Sequence, residues 1–241
     1  MTKIILVTGA TRGLGLSIVK NLLSRQYHVI ATGRKITNDL SQLIEDYPEH
    51  LSFKPFDLSK TEDIKTFMSS INKKHGRLYG LINNAALGHD GVLATMHESE
   101  INQLIKVNIE APILLAKYAS RHMLINQTGR IINISSIIAS TGFNGLSVYA
   151  ASKSALNGFT RSLSRELGKS NITVNCIAPG YMATEMTSGL QDEKLASIIR
   201  RSPMKKLVEP KDVAHSIAYL LSDEARLITG TTMTVDAGST A

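Results

Sequence analysis

A tyrosine and a lysine lie four residues apart in the segment VYAASKSAL, residues 148–156. Residues at positions i and i+4 share one face of a helix, so Tyr149 and Lys153 would be neighbours there. A phenol ordinarily has a pKa of about 10, and a neighbouring ammonium lowers that pKa by stabilising the phenolate. The spacing therefore predicts either a general acid that works near neutral pH or an ordinary polar pair on a helix surface.

Two further polar residues precede this pair. Ser136 ends an apolar run before Tyr149, and Asn108 lies earlier, in the stretch IKVNIEAP. Serine and asparagine are common in purely structural roles. It is the order and spacing of all four side chains that predict a shared crevice.

Glycines follow the first apolar run in LVTGATRGLG, residues 6–15, at Gly9, Gly13 and Gly15. Glycines in this place permit a tight turn, and they let the backbone approach a pyrophosphate held at the N-terminus of the next helix. The pattern predicts a dinucleotide site, the alternative being a turn that needs glycine only for packing.

The end of the second apolar run indicates which dinucleotide is bound. NAD enzymes usually carry an acidic residue there, bonded to the ribose 2′-hydroxyl. This chain has Gly33 followed by Arg34, and a second guanidinium, Arg12, lies among the glycines. Two guanidiniums suit a 2′-phosphate through charge-assisted hydrogen bonds. We therefore predict NADP(H), the alternative being two solvated arginines.

Polar residues also end the third and fourth apolar runs. Asp57 is expected either to accept a hydrogen bond from an adenine amino group or to cap the following helix. The segment NNAA, residues 83–86, ends the fourth run. The carboxyl ends of strands line the ligand crevice in open α/β sheets, so we expect this segment to contact the cofactor.

Short apolar runs alternate with amphipathic stretches along all 241 residues. The alternation predicts βαβ units, and hence an α/β fold in which residues 1–241 form a single Rossmann-type domain. Its doubly wound parallel sheet would have about seven strands, with helices on both faces. The predicted strands are Lys3–Gly9, His28–Gly33, Leu51–Asp57, Leu78–Ala85, Gly129–Ser136, Ile172–Gly180 and Thr231–Gly238. The predicted helices are Leu14–Ser24, Glu62–Lys74 (with Thr61 as a possible N-cap), Ser99–Asn126, Tyr149–Gly168, Asp192–Arg201 and Asp212–Ser222.

Composition excludes several classes of function. The net charge of +7 favours anionic partners, but the basic residues are scattered, so no nucleic-acid binding is predicted. No apolar run is long enough to cross a membrane, and the first residues are too short for a signal peptide, so we expect a cytoplasmic protein. The one cysteine, Cys176, is expected to be a buried structural thiol. The histidines show no metal-binding spacing.

The motifs taken together resemble the short-chain dehydrogenase/reductase family from end to end. The matching segments are TGATRGLG, NNAA in place of the usual NNAG, Asn108, Ser136, YAASK, Pro179–Gly180 and ITGTTMTVDAG. Within the family, APGYMATEMT and the segment from residue 202 to residue 230 are most similar to bacterial 3-oxoacyl-[acyl-carrier-protein] reductases.

The resemblance implies a role for each candidate residue. Tyr149 would donate a proton to the carbonyl oxygen, Ser136 would hydrogen-bond that oxygen, and Lys153 would hold the nicotinamide ribose. Asn108 would help to hold a water chain that leads to Lys153. Thr184 would contact the cofactor or, alternatively, cap a helix. The implied cofactor-binding residues are Gly9, Thr11, Arg12, Gly13, Leu14, Gly15, Arg34, Asp57, Leu58, Asn84, Ala85, Tyr149, Lys153, Pro179, Gly180, Met182 and Thr184.

The resemblance also implies a substrate and partners. The expected reaction is NADPH-dependent reduction of 3-oxoacyl-acyl-carrier-protein in fatty-acid biosynthesis. Another carbonyl or alcohol (a coenzyme A thioester, a quinone, a sugar or a polyol) stays open, as does an NADP-binding scaffold or sensor without turnover. The segment 187–203 is expected to cover the substrate, and the two longest helices are expected to assemble a homotetramer.

Carrier docking is where the chain departs from the reductases that it resembles. Gln127 and Ser170 stand where those reductases have two basic residues that help to dock the carrier. The adjacent cations Arg130 and Lys169 are expected to substitute for them.

Overall fold

A parallel sheet forms the centre of the protein. The computed structural model describes residues 3–182 and 192–241, and within them seven strands pair in the order β3-β2-β1-β4-β5-β6-β7. The strands are β1 (Ile4–Thr8), β2 (His28–Gly33), β3 (Leu51–Pro55), β4 (Gly80–Asn83), β5 (Gly129–Ile134), β6 (Ile172–Pro179) and β7 (Thr232–Val235). All six pairings are parallel.

Helices connect these strands. Their bounds are α1 (Gly13–Ser24), α2 (Asn38–Asp46), α3 (Ile64–His75), α4 (Glu98–Ile105), α5 (Ala111–Asn126), α6 (Ile138–Thr141), α7 (Ser147–Leu167), α8 (Asp192–Arg201) and α9 (Pro210–Leu221). In the described part of the chain, no helix combines the length and the apolar character needed to cross a membrane.

Alternate strand residues face two separate cores. In β1, Ile5 and Val7 pack with α1 and α9 on one face, whereas Leu6 packs with α3 and α5 on the other. A strand covered on both faces has no polar side, which explains why the apolar runs are continuous. The fold class predicted from the sequence is confirmed.

The strand order reverses beside β1. The chain leaves β1 toward β2 and β3 and then returns to β4, which pairs with the other side of β1 through Ile5↔Gly80 and Val7↔Ile82. Helices must then diverge to opposite faces, so a crevice opens at the carboxyl ends of β1 and β4. The glycine-rich segment and the NNAA segment both begin at this edge.

One predicted helix differs in a way that matters for the site. The range Ser99–Asn126 contains two helices, α4 and α5, joined by a π-helical turn at Lys106–Glu110. Pro112 explains the interruption, because proline has no N–H to donate to the carbonyl of Asn108 and its ring would clash with that carbonyl in a regular helix.

Smaller differences have local causes. Two short helices, α2 and α6, were not predicted. Thr61 is buried in a 3₁₀ turn and its side chain caps no helix. Strand β4 ends at Asn83 rather than Ala85, since the N–H groups of Asn84 and Ala85 bond the Thr8 side chain instead of a strand.

Candidate active site

Three of the four predicted catalytic residues meet where β5 ends and α7 begins. Ser136 follows β5 by two residues, and Tyr149 and Lys153 lie on the first two turns of α7. The Ser136 hydroxyl accepts from the N–H of Ile138 at 3.3 Å, and it lies close enough to the Tyr149 phenol to act on the pKa of that phenol. The Lys153 Nζ lies 5.6 Å from the centroid of the Tyr149 ring. Two hydroxyls and an ammonium therefore converge on one small region.

The ammonium of Lys153 is held by the backbone. Its Nζ donates to the Ile134 carbonyl at 2.8 Å, and the Ser135 hydroxyl donates to the Lys153 carbonyl at 3.1 Å. The side chain is almost fully buried, and burial lowers the pKa of Lys153 to about 8, because desolvation penalises the charged form.

The pKa of Tyr149 departs from the sequence expectation. Burial raises the pKa of the phenol to about 12, the neighbouring Ser136 hydroxyl acts in the opposite direction, and the negative charge of Asp90 raises the pKa further. Lys153 points at a carbonyl instead of the phenolic oxygen, so the predicted lowering by Lys153 is not found in the protein alone. Tyr149 is therefore a neutral phenol at physiological pH, which is the form that donates a proton.

Asn108 lies in the π-helical turn and is fully engaged with protein atoms. Its Oδ1 accepts from the N–H of Leu87 at 2.8 Å, and its Nδ2 donates to the Leu87 carbonyl at 2.9 Å and to the Ser152 hydroxyl at 3.1 Å. Ser152 in turn donates to the Tyr149 carbonyl at 2.7 Å. Asn108 thus ties the loop after β4 to the first turn of α7, through a serine that the sequence reasoning missed. The water chain at Asn108 stays a prediction.

The glycine-rich segment forms a cradle that side chains would fill. Gly9 has a φ of +62°, and a Cβ there would lie 2.9 Å from the Ala85 Cα. A Cβ on Gly15 would overlap the carbonyl oxygen of Gly9. The N-cap residue of α1 is Arg12, which has no acceptor, and the first turn of α1 carries no acidic residue. The N–H groups of this turn, Gly13 among them, therefore suit an anion such as a pyrophosphate.

The NNAA segment is fastened to this cradle through Thr8. The Thr8 hydroxyl accepts from the N–H groups of Asn84 and Ala85, each at 3.0 Å, and donates to the Ile82 carbonyl at 3.3 Å. Asn84 Nδ2 donates to the carbonyls of Thr8 at 2.8 Å and Gly9 at 3.2 Å. Thr8 was not predicted from the sequence, although its position at the end of the first strand, directly before Gly9, indicates that it belongs to the site.

A cavity of about 520 Å³ lies beside the carboxyl ends of β2 and β3. It brings together the predicted Arg34 and Asp57 with Lys60, a cation that the sequence reasoning missed. The remaining lining residues are Lys35, Pro55, Phe56 and Asp63. Three cations against two carboxylates favour an anionic ligand group here.

Asp57 caps no helix. Its Oδ1 accepts from the N–H of Ser59 at 2.9 Å and from the Ser59 hydroxyl at 2.8 Å, which closes a local turn. These bonds, the backbone one foremost, lower the pKa of Asp57, and the positive charges of Arg34 and Lys60 lower it further. The turn fixes the backbone that presents Lys60 to the cavity.

The other predicted cofactor residues lie along the same edge of the sheet. Thr11 accepts on its carbonyl from the Thr37 hydroxyl at 2.7 Å, and Leu14 and Leu58 are buried. At the end of β6, Pro179 accepts from the N–H of Ile137, Gly180 donates to Val235, and Met182 pairs with Val208. Thr184 and part of the predicted 187–203 cover lie outside the described residues.

The expectation that Arg130 docks a carrier is wrong. Arg130 is only 4% exposed, its Nη1 donates to the Gly129 carbonyl at 2.9 Å, and its guanidinium lies 5.5 Å from the centroid of the Tyr79 ring. Its Nη2 also approaches Asp223 to 3.9 Å. A guanidinium held in this way supports the fold, whereas Lys169 is exposed.

Cys176 is a buried thiol inside a polar cluster. Its Sγ lies 3.1 Å from the Thr160 hydroxyl, and burial raises the pKa of the thiol to about 11. Across residues 3–182 and 192–241, no three histidine, cysteine or acidic side chains are arranged to hold a metal ion.

A parallel sheet of this order, with its ligand crevice at the carboxyl ends of the strands, defines a Rossmann-type fold, and serine, tyrosine and lysine side chains stand at that edge. The family model described as enoyl-(acyl carrier protein) reductase matches residues 9–240. The chain belongs to the short-chain dehydrogenase/reductase family.

Individual relatives match over nearly their whole length. The 3-oxoacyl-[acyl-carrier-protein] reductase FabG of Haemophilus influenzae is 39% identical, over 98% of this chain and 97% of that protein. The FabG of Escherichia coli is 37% identical, over 98% and 96%. Carbonyl reductase family member 4 of Xenopus tropicalis is 36% identical, over 99% and 98%. Among solved structures, ElxO with NADP bound superposes with a TM-score of 0.90 at 31% identity, covering 99% of both chains.

Proposed function

We propose that the protein reduces a carbonyl group to a hydroxyl with NADPH, and that its substrate is a 3-oxoacyl group on acyl carrier protein. The product, a 3-hydroxyacyl carrier protein, belongs to fatty-acid biosynthesis in the cytoplasm. The observation that carries the proposal is the convergence of the Ser136 and Tyr149 hydroxyls beside the buried Lys153, whose Nζ lies 5.6 Å from the centroid of the Tyr149 ring. The relatives named as 3-oxoacyl-carrier-protein reductases support the choice of substrate.

The mechanism follows from what these side chains can do. NADPH, when bound, supplies the hydride that the carbonyl carbon receives. The Ser136 hydroxyl donates a hydrogen bond to the carbonyl oxygen, which stabilises the negative charge that develops there. The Tyr149 phenol then gives its proton to that oxygen, so the product leaves as an alcohol and Tyr149 is left as a phenolate. The ammonium of Lys153, itself buried and 5.6 Å from the ring, stabilises this charge.

The protein offers matching places for the two anionic parts of NADPH. We assign the pyrophosphate to the cradle of Gly9, Gly13 and Gly15, where a Cβ would clash at Gly9 and Gly15 and where Gly13 has a φ of +52°. We assign the 2′-phosphate to the 520 Å³ cavity, where Arg34 and Lys60 would hold it. The cavity lies at the end of β2, the strand whose end selects between NAD and NADP.

Substitution of Arg34 by alanine is expected to raise the KM for NADPH by about 10- to 100-fold, which corresponds to one hydrogen bond between charged groups. The KM for NADH should change little, because NADH has no 2′-phosphate. Steady-state kinetics with both cofactors measure the effect. Arg25→Ala is a matched control, since Arg25 is an exposed arginine whose Nε donates to Asn21 within the same helical turn. An equal rise for NADPH and NADH would contradict the assignment.

The substrate is tested by direct comparison of thioesters. NADPH oxidation is followed with an acetoacetyl carrier protein, with acetoacetyl-coenzyme A and with a 2-enoyl thioester of the carrier. We expect kcat/KM to be highest for the acetoacetyl carrier protein. Equal rates with the carrier and the coenzyme A ester would refute a carrier-bound substrate, and turnover of the 2-enoyl thioester alone would favour the enoyl reductase reaction that the family description names. Cofactor binding without turnover of any carbonyl would favour a scaffold or sensor.

We further propose a homotetramer in which α4, α5 and α7 face partner subunits. Apolar side chains on α4 and α5 are exposed, namely Ile105, Ile113, Leu124 and Ile125 at 43%, 37%, 38% and 63%. Gly158 stands inside α7 with open space around its Cβ position, although glycine destabilises a helix interior. Both features make sense if another helix approaches closely. Light scattering is expected to give four times the 26.2 kDa chain mass, and a stable monomer would refute the proposal.

A further inference from the structure

Three successive residues, the last two of β5 and the one that follows the strand, are bonded to α7. Asn133 Nδ2 donates to the Thr160 hydroxyl at 2.8 Å, the Ile134 carbonyl accepts from Lys153 Nζ at 2.8 Å, and the Ser135 hydroxyl donates to the Lys153 carbonyl at 3.1 Å. Two of the three bonds involve Lys153 itself. The bond between Asn133 and Thr160 is the one that joins strand and helix away from the candidate catalytic residues.

The Asn133–Thr160 bond belongs to a polar network in the protein interior. Both residues are 0% exposed. Asn83 Nδ2 donates to Asn133 Oδ1 at 2.8 Å and to the Pro112 carbonyl of α5 at 3.4 Å, and the Thr160 hydroxyl also lies 3.1 Å from Cys176 Sγ. Hydrogen bonds in such surroundings are strong and strongly directional, because no water competes for the partners. The network therefore fixes the position of Asn133 on the sheet and, through it, that of Thr160.

A second attachment point determines the angle of a helix. Thr160 follows Lys153 by seven residues, or about 10 Å along the helix axis, and Tyr149 precedes Lys153 by about 6 Å. A helix held by hydrogen bonds only near Ser152 and Lys153 could pivot there. A rotation of about 5° would displace Tyr149 by roughly 0.5 Å, which is the tolerance of a catalytic arrangement.

We infer that Asn133 and Thr160 are positioning residues, which hold α7 at the angle that brings the Tyr149 phenol to the Ser136 hydroxyl. Ser136 follows the same strand that carries Asn133, so the positions of both catalytic hydroxyls are determined from β5. The inference rests on the proposed role of Tyr149 as proton donor. It adds two residues that touch neither substrate nor cofactor.

The test uses Thr160→Val, which keeps the branched shape and removes the hydroxyl. We expect kcat to fall by about 10- to 100-fold while the KM for NADPH stays within twofold, because a displacement of this size affects only the reacting groups. Thr160→Ser, which restores the hydroxyl, should recover most of the loss. In hydrogen exchange, residues 147–153 of α7 should exchange faster in Thr160→Val than in the wild type.

Two control variants separate positioning from simple loss of stability. Ser164→Ala removes another buried hydroxyl from α7, but one bonded within the helix, to the Arg161 carbonyl at 2.8 Å. Cys176→Ala removes the second neighbour of Thr160 and leaves the bond from Asn133 in place. Both are expected to keep kcat within about threefold of the wild type and to leave the exchange of residues 147–153 unchanged.

Several results would overturn the inference. They are a kcat for Thr160→Val within twofold of the wild type, an equal loss in Ser164→Ala, or a failure of Thr160→Ser to recover activity. If the wild type reduces none of the carbonyl substrates, the proposed function fails and hydrogen exchange alone decides the positioning. Unchanged exchange at residues 147–153 in Thr160→Val would then refute it.

Discussion

Tyr149→Phe is expected to lower kcat for carbonyl reduction by about two to four orders of magnitude, the range that general acid catalysis contributes. The Tyr149 phenol lies beside the Ser136 hydroxyl and is neutral at physiological pH, and phenylalanine keeps the ring while removing the proton. NADPH binding should stay nearly unchanged, because Tyr149 belongs neither to the glycine cradle assigned to the pyrophosphate nor to the cavity assigned to the 2′-phosphate. Steady-state rates and fluorescence titration with NADPH measure the two quantities.

Tyr181→Phe provides the matched control for this variant. Tyr181 is a second half-buried tyrosine near Asp90, its pKa is also raised by burial, and its ring lies 6.3 Å from that of Phe143. We expect this variant to keep most of its kcat. A Tyr149→Phe enzyme with more than about a tenth of the wild-type kcat would show that another group, or water, provides the proton.

Lys153→Met is expected to lower kcat by about 100-fold or more and to change the pH dependence of the reaction. The ammonium stabilises the phenolate left after proton transfer, and methionine has a similar shape without the charge. Because the pKa of Tyr149 is raised to about 12 and that of Lys153 is lowered to about 8, the wild-type rate of reduction should decline as pH rises through about 8. That decline should be absent in Lys153→Met. A decline that persists in the variant would assign it to another group.

Lys153→Met is also expected to change how the stability of the folded protein depends on pH. The pKa of Lys153 is about 8 in the folded protein against an ordinary 10.5, so between these values the unfolded chain binds more protons than the folded one. Stability of the wild type should therefore gain from this group as pH rises from about 8 to 10.5. In Lys153→Met this gain should be missing, whereas Lys169→Met, at an exposed lysine, should retain it. Melting temperatures across this pH range check the sign, and identical curves for all three proteins would contradict the burial of a charge at Lys153.

Much of the site is predictable from the sequence because its parts are local. The glycine spacing needs only a strand, a turn and a helix, and the Tyr149–Lys153 spacing needs only one helix. The alternation of apolar runs is enough for a doubly wound sheet. These patterns depend on backbone geometry within a few residues, so the local sequence is enough to predict them.

The features that the sequence did not predict depend on contacts between distant segments. Lys153 bonds the Ile134 carbonyl instead of the phenol, and Thr8 fastens a segment that lies far along the chain. The burial of Arg130 follows from the position of Tyr79, which directly precedes the neighbouring strand β4. The π-helical turn is different, since Pro112 stands four residues after Asn108 and its missing donor is visible in the sequence.

The burial of Cys176 has a practical consequence for experiments in solution. The chain has one thiol, it is fully buried, and its pKa of about 11 keeps it almost entirely protonated at neutral pH. Alkylating reagents attack thiolates at accessible positions, so the folded wild type should be nearly inert to maleimides. A cysteine introduced at an exposed position such as Gln127 would then be the one thiol on each chain that reacts with maleimides. A fluorophore or spin label attached there would report the approach of a carrier protein without any change to the native cysteine.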